Sequence, residues 1–198
     1  MNEQRVGSAP NIRWRGSLEA ARAEARTEGK LVLIYLWHHN CGGSATMGEH
    51  TYPEPEVERY IEEHFAPIRF NTIERPEMEA ALGSGWTPTI IVEDPDGNEH
   101  RRSQGYLDAH RLLGQLALAR LQMALDHRDF EAASALSEEA LLRASGDPER
   151  EPEAMYWSAV AAYKLAGDDR EKLVEGWTRL LDQHPESEWA KRASYIRM

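Results

Sequence analysis

The stretch Leu31-Val32-Leu33-Ile34-Tyr35-Leu36-Trp37-His38-His39-Asn40-Cys41-Gly42-Gly43-Ser44 decides how the rest of the chain is read. Its first seven residues are a near-continuous apolar run of strand length, the pattern of a strand buried on both faces in a parallel or mixed sheet. The polar residues and paired glycines that follow place Cys41 where a strand gives way to a helix, and backbone N–H groups at such a turn stabilise a thiolate. Cys41 is the only cysteine in the chain. It therefore has no disulfide partner within its own chain, and the count excludes both a disulfide framework and a four-cysteine zinc site.

Upstream of the strand, Met1 to Asn11 show no periodicity and read as a loose arm; Ser17 then caps a helix carrying Leu18, Ala21 and Ala25 on one face, which Gly29 ends. Downstream, Pro55 opens a helix to about Phe65 with Val57, Tyr60 and Ile61 as its buried face, and Pro67 to Asn71 forms another strand. Glu77 to Leu82 is a short helix closed by Gly83, and Trp86 to Val92 is a turn running into a strand. Asp94-Pro95-Asp96-Gly97 is a hairpin turn, followed by a polar strand through Ser103, a break at Gly105-Tyr106 and a long helix from Asp108 to about His127. This order of elements predicts an α/β sheet domain.

Beyond this point the pattern is purely helical. Phe130 to Ala144, Pro152 to Leu165 and Asp169 to Gln183 each carry helical spacing, with Glu188 to Met198 as a capping helix. The predicted organisation is an arm over 1–11, an α/β domain over 12–120 and a helical unit over 121–198. The helix 108–127 carries two apolar stripes, one with Leu112, Leu116 and Ala119 and one with Leu118, Leu121 and Leu125, so it is expected to serve both domains.

Order and spacing over roughly Trp14 to Leu125 resemble the thioredoxin-like superfamily. The matching features are Trp37 at the strand end, Cys41-Gly42-Gly43-Ser44 in place of Cys-x-x-Cys, Met47 three residues beyond, Thr87-Pro88 in place of the cis-proline, and the hairpin and glycine at Asp96-Gly97 and Gly105-Tyr106. The chain departs from the pattern at Ser44, which replaces the second cysteine, and at Asn40, where an aromatic residue is usual. Tyr35 falls near a position where thioredoxins often carry a buried acid. The helical part resembles about two tetratricopeptide repeats, on Asp129-Phe130-Glu131-Ala132-Ala133 with Ala140, then Tyr156, Tyr163, Leu173, Trp177, Leu180 and Pro185.

The resemblance implies a thioredoxin-like fold with a C-terminal helical unit, and thiol–disulfide exchange through a single reactive Cys41 that the Ser44 hydroxyl and the helix start stabilise. Ser44 cannot resolve a mixed disulfide, so glutathione or another external thiol would act as reductant; no bound cofactor is expected. Thr87-Pro88 would dock an extended client beside Cys41, with Gly42 and Gly43 at the motif and Trp37, Trp86 and His39 around it. The other reading is a degenerate motif on a noncatalytic interaction scaffold. His38, His39 and Cys41 supply too few ligands for zinc, and no metal site is expected.

With 34 acidic and 23 basic residues the formal charge is −11, which disfavours nucleic acid and anionic membranes as partners, and Arg101-Arg102 makes no extended basic stripe. The expected partner is a protein client or peptide, recruited by the helical repeats, and the oligomeric state stays open. No apolar h-region opens the chain and no run reaches the roughly 18 apolar residues of a membrane span; with the single cysteine, this leads to an expected cytoplasmic location.

Overall fold

The computed structural model describes residues 12–197, so the predicted arm over 1–11 lies outside the described residues. Ser17 caps helix α1 (Leu18–Glu28) by accepting the Ala20 N–H, and Gly29 closes it in the left-handed region at φ 67°. Strand β1 (Leu31–Trp37) follows directly, and its first six residues are buried. It pairs in parallel with β2 (Phe65–Asn71) and antiparallel with β3 (Thr89–Glu93), which pairs antiparallel with β4 (Glu99–Gln104). The sheet order is β2-β1-β3-β4. The unbroken apolar run of β1 has its cause here, because a strand with a neighbour on each side and layers on both faces has no residue to spare for water.

Alternation along β1 sends Val32, Ile34 and Leu36 to one face, where they cluster with Ala21 and Ala25 of α1, Ala66, Ile68 and Phe70 of β2, and Ile91 of β3. Leu31, Leu33 and Tyr35 point the other way and are also buried. Helix α2 (Gly42–Thr46) runs on through a π-helical turn (Met47–Thr51), and α3 (Pro55–His64) buries Val57, Tyr60 and Ile61 as its spacing predicts. Strand β2 starts two residues before the expected Pro67. Pro67 is tolerated inside it because β2 lies at the sheet edge, where a missing N–H leaves no neighbour unpaired, and its carbonyl accepts the Arg15 N–H at 2.8 Å. That contact goes with a parallel bridge between Arg15 and Ile68, so residues just ahead of α1 extend the sheet edge.

After β2 comes α4 (Pro76–Ala81) and, at the start of β3, a cis Thr87–Pro88 peptide bond. Asp94 makes the hairpin turn by accepting the Asp96 and Asn98 N–H groups at 2.9 Å each, with Gly97 at φ 89°. Buried Glu93, at the end of β3, is matched by Arg22 of α1 at 2.6 Å.

The chain divides into two compact units, residues up to Ala109 and from His110 on. Helix α5 (Ala109–Asp126) is one unbroken helix, as its length in the sequence predicts. It is followed by α6 (Phe130–Ala144), α7 (Arg150–Leu165), α8 (Arg170–Gln183), α9 (Glu188–Ala193) and a short 3-10 turn (Ser194–Arg197). Side-chain caps start three of these: Asp129 accepts from Ala132, Asp169 from Glu171 and Ser187 from Ala190. Helix α7 starts two residues before the expected Pro152, because Asp147 accepts the Glu149 and Arg150 N–H groups; proline is harmless in a first turn whose N–H groups have no helical partner. Among the described residues, no helix is long and apolar enough to cross a membrane.

The helical unit is built on one close crossing. A Cβ at Gly176 of α8 would stand 2.4 Å from the Ala159 Cβ of α7. Beside it Tyr156 stacks on Trp177 at 4.7 Å, and the Trp177 indole donates to the Tyr156 carbonyl at 3.2 Å. Gly176→Ala should therefore destabilise this unit by about 1–3 kcal/mol through overpacking, although alanine favours a helix over glycine by about 1 kcal/mol. Denaturant unfolding followed by far-ultraviolet circular dichroism reads the sign directly.

Candidate functional site

Cys41 is the N-cap residue of α2, extended at φ −97° and ψ 115°, and its carbonyl accepts the Ala45 N–H at 3.0 Å to start the helix. The Cys41 N–H donates to the His38 carbonyl at 3.1 Å, closing the turn out of β1. Because β1 and β2 are parallel, Trp37 sits in register with Asn71 and both strands end at the same side of the sheet. Loops beyond the carboxyl ends of adjacent strands converge there, a usual location for a site. The loop before β3 reaches the same place from the other neighbour, and Cys41 Sγ lies 3.2 Å from the Thr87 carbonyl oxygen.

That loop is fixed by a small polar network. The Trp86 carbonyl accepts from the Thr89 hydroxyl at 2.6 Å and from the Ser84 hydroxyl at 3.0 Å, and Gly105 N–H donates to the Pro88 carbonyl at 2.8 Å. Pro88 is buried against the motif. A Cβ at Gly43 would come 3.0 Å from Pro88 Cδ and 3.6 Å from Tyr106 Cβ, so glycine is needed at Gly43 for the proline to approach. At Gly42 nothing lies within 4 Å, and only the first of the two motif glycines has room for a side chain.

An open groove of about 480 Å³ surrounds the thiol, lined by His38, Cys41, Thr72, Ile73, Glu79, Gly85, Trp86 and Thr87. Trp86 stands 62% exposed and Ile73 53% exposed on its rim. Of the residues expected there, Trp86, Thr87 and Cys41 are brought together and Gly43 and Pro88 support them from behind. Trp37 and His39 instead line a different cleft, which Cys41 does not reach. Consecutive residues leaving a strand diverge, and His38 is the histidine that shares the groove with Cys41. Thr72, Ile73 and Glu79 were not anticipated. The one signal that could have found them is topological, since the loop after β2 must emerge beside the loop after β1 if the two strands are parallel.

The electrostatics at Cys41 are a contest that donors win. Partial burial is the largest single influence and pushes the thiol up; opposing it, the Ser44 hydroxyl and N–H, the Thr87 hydroxyl and the Gly43 N–H favour the thiolate, and together they hold Cys41 below the ordinary thiol value. Ser44 is 4% exposed, and its hydroxyl has no hydrogen-bond partner while Cys41 is protonated. Ionising Cys41 supplies one. Tyr35, near the place where a buried acid is common, is itself 3% exposed, donates to the Ser44 carbonyl at 3.3 Å, and has its phenol pushed by burial up to about 12. It does not exchange protons with the thiol near neutral pH.

A scan against protein-family models matches residues 18–120 to the family described as "Thioredoxin-like domain". The chain belongs to that family. Among solved structures it is similar to a thioredoxin from Thermus thermophilus, at 22% identity and TM-score 0.52 over 58% of this chain and 92% of that one. It is also similar to the C-terminal domain of Neisseria meningitidis DsbD in the oxidised form, at 23% identity and TM-score 0.43 over 51% and 90% of the two chains. A third likeness is to a thioredoxin-fold protein from Helicobacter pylori, at 17% identity and TM-score 0.44 over 58% and 84%. No curated protein matches the chain. The fold is thus a thioredoxin-like α/β fold with a four-stranded sheet, followed by a region of several helices.

The depressed Cys41 value makes stability depend on pH in a definite direction. Between the folded value and the unfolded thiol value of about 8.5, the native state holds a thiolate while the unfolded state still binds the proton, so stability rises with pH through that window and levels off above it. The melting temperature of the wild type should gain on that of Cys41→Ser as pH is raised through this window. In Ser44→Ala the gain should shrink, while stability below the window holds or improves, since an unpartnered buried hydroxyl has been removed. Paired thermal melts across pH check both.

Proposed function

We propose that this protein carries out thiol–disulfide exchange through one cysteine. The Cys41 thiolate attacks a sulfur of a client disulfide, forming a Cys41–client mixed disulfide and releasing the other client sulfur as a thiolate. A second thiol, from glutathione or a comparable small-molecule reductant, then attacks the client sulfur of the mixed disulfide. That step bonds the reductant to the client and returns Cys41 as a thiolate. Ser44 takes no covalent part; its hydroxyl donates to the Cys41 sulfur whenever the sulfur carries charge.

The observation that carries this reading is the coincidence at Cys41 of access and ionisation: a partly exposed sulfur in an open groove, with its pKa held down by donors. Membership in the thioredoxin-like family is consistent with that chemistry and does not by itself assign it. The Thr87 N–H has no hydrogen-bond partner among the described residues, and it offers an extended client a backbone contact beside the sulfur. Exposed Trp86 and Ile73 give such a client apolar contacts. The helical unit recruits the protein partner in this reading, with half-buried Trp157 and Trp189, 5.9 Å apart, as its contact residues.

Two measurements test the proposal. The rate of Cys41 alkylation by iodoacetamide should show its midpoint below the ~8.5 of a free thiol, and Ser44→Ala should move that midpoint up. Incubated with oxidised glutathione, the wild type should accumulate a mixed disulfide seen by intact mass; Cys41→Ser should not, and Ser44→Cys should convert the adduct to an intrachain disulfide. An alkylation midpoint at or above the free-thiol value, together with no adduct, would leave a noncatalytic scaffold as the better account.

A further inference from the structure

We propose that a second cleft in the first unit, lined by Trp14, Tyr35, Trp37, Tyr52 and Arg69, binds a small planar carboxylate of the aromatic-acid type, with Arg69 as the anion anchor. The cleft holds about 270 Å³, and Cys41 is not among its lining residues.

The backbone explains why these side chains meet. Parallel pairing sets Tyr35 of β1 beside Arg69 of β2, and strand alternation puts Trp37 on the same face. The bridge between Arg15 and Ile68 brings Trp14 to the sheet edge, and Tyr52 caps the π-helical turn. The rings pack at 6.0 Å for Trp14–Tyr35, 5.4 Å for Trp14–Tyr52 and 5.0 Å for Tyr35–Tyr52. Aromatic walls of this kind accept a planar apolar body by stacking or edge contact.

The polar lining sets one guanidinium and one buried phenol O–H against a single carboxylate. Arg69 is exposed; its guanidinium lies 5.4 Å from the Trp14 ring and 5.6 Å from the Trp37 ring, and among the described residues it has no carboxylate or carbonyl partner. The Tyr52 hydroxyl is buried and unpartnered, and burial pushes its phenol well above the ordinary range, so it stays an O–H donor. His38 Nδ1, at the cleft wall, is also buried and unpartnered. The one carboxylate on the lining, Glu49, is 73% exposed and lies 3.9 Å from His50. Folded proteins leave few buried polar groups unsatisfied, and those they do leave call for an explanation. A carboxylate supplies what is missing: two oxygens that a guanidinium grips in a fork, with an acceptor left for the Tyr52 O–H. The volume is just under the 300–1,000 Å³ usual for drug-sized ligands, so the occupant is smaller than those.

Isothermal titration of the intact chain with sodium benzoate, benzamide and inorganic phosphate tests this. Benzoate should bind, with benzamide and phosphate at least ten-fold weaker, because one lacks the charge and the other the ring. Arg69→Met should weaken benzoate at least ten-fold. Tyr52→Phe should also weaken it, yet without benzoate that variant should melt no lower than the wild type, since it loses an unpartnered hydroxyl and no hydrogen bond. Cys41→Ser should bind benzoate as the wild type does, which keeps this inference separate from the thiol chemistry. Equal binding of benzoate and benzamide, phosphate binding as tightly as benzoate, undiminished binding to a folded Arg69→Met, or no binding of benzoate at all would overturn it.

Discussion

The approach of the Thr87–Pro88 loop to the start of α2 is the contact on which the site depends. Pro88 can reach the motif only because Gly43 has no side chain, and that proximity puts the Thr87 carbonyl 3.2 Å from the Cys41 sulfur. A thiol donating to that carbonyl is favoured as a thiol, while the hydroxyls of Ser44 and Thr87 and the N–H groups of Gly43 and Ser44 favour the thiolate. Several donors acting on one sulfur outweigh the burial that opposes them, and the thiol lies below its ordinary value. With Ser44 in place of a resolving cysteine, the arrangement supplies a nucleophile and leaves release of its partner to a thiol from outside the chain.

Strand β1 serves two purposes through its alternation. Its even-numbered residues, Val32, Ile34 and Leu36, are apolar and build the core with α1 and β2. On the other face Tyr35 is buried with a phenol too weakly acidic to trade protons near neutrality, and its register partner on β2 is Arg69. The strand thus ends with a thiol groove on one lining and an aromatic, cationic cleft on another, and His38 borders both.

How much of this was legible in the sequence follows from how local each signal is. The run Leu31–Trp37, the cap Ser17, the turn at Asp94-Pro95-Asp96-Gly97 and the helix Phe130–Ala144 depend on neighbours a few residues away, and each falls where its pattern puts it. Thr87-Pro88 was placed by resemblance, and its cis bond agrees. The edge contribution of Arg15 was not readable, because one bridge leaves no periodicity. The early starts of β2 and α7 were masked by prolines, which look like beginnings even when the element has already begun. Within the site, the motif and its docking loop were readable through the family resemblance. Trp37 and His39 were assigned to the thiol because they adjoin it in sequence, whereas strand and turn geometry direct them to the neighbouring cleft. Ile73, Glu79 and Arg69 reach their sites by tertiary pairing alone, and no local pattern announces them.

The central claim is that Ser44 and the motif backbone hold the Cys41 thiol below its ordinary value by stabilising the thiolate charge. A pH titration of the thiolate ultraviolet absorbance of the intact chain, with the Cys41→Ser signal subtracted at each point, measures that charge directly. The account predicts a single transition below the ~8.5 of a free thiol, displaced upward in Ser44→Ala. A transition at or above the free-thiol value, or one that Ser44→Ala leaves in place, would contradict it.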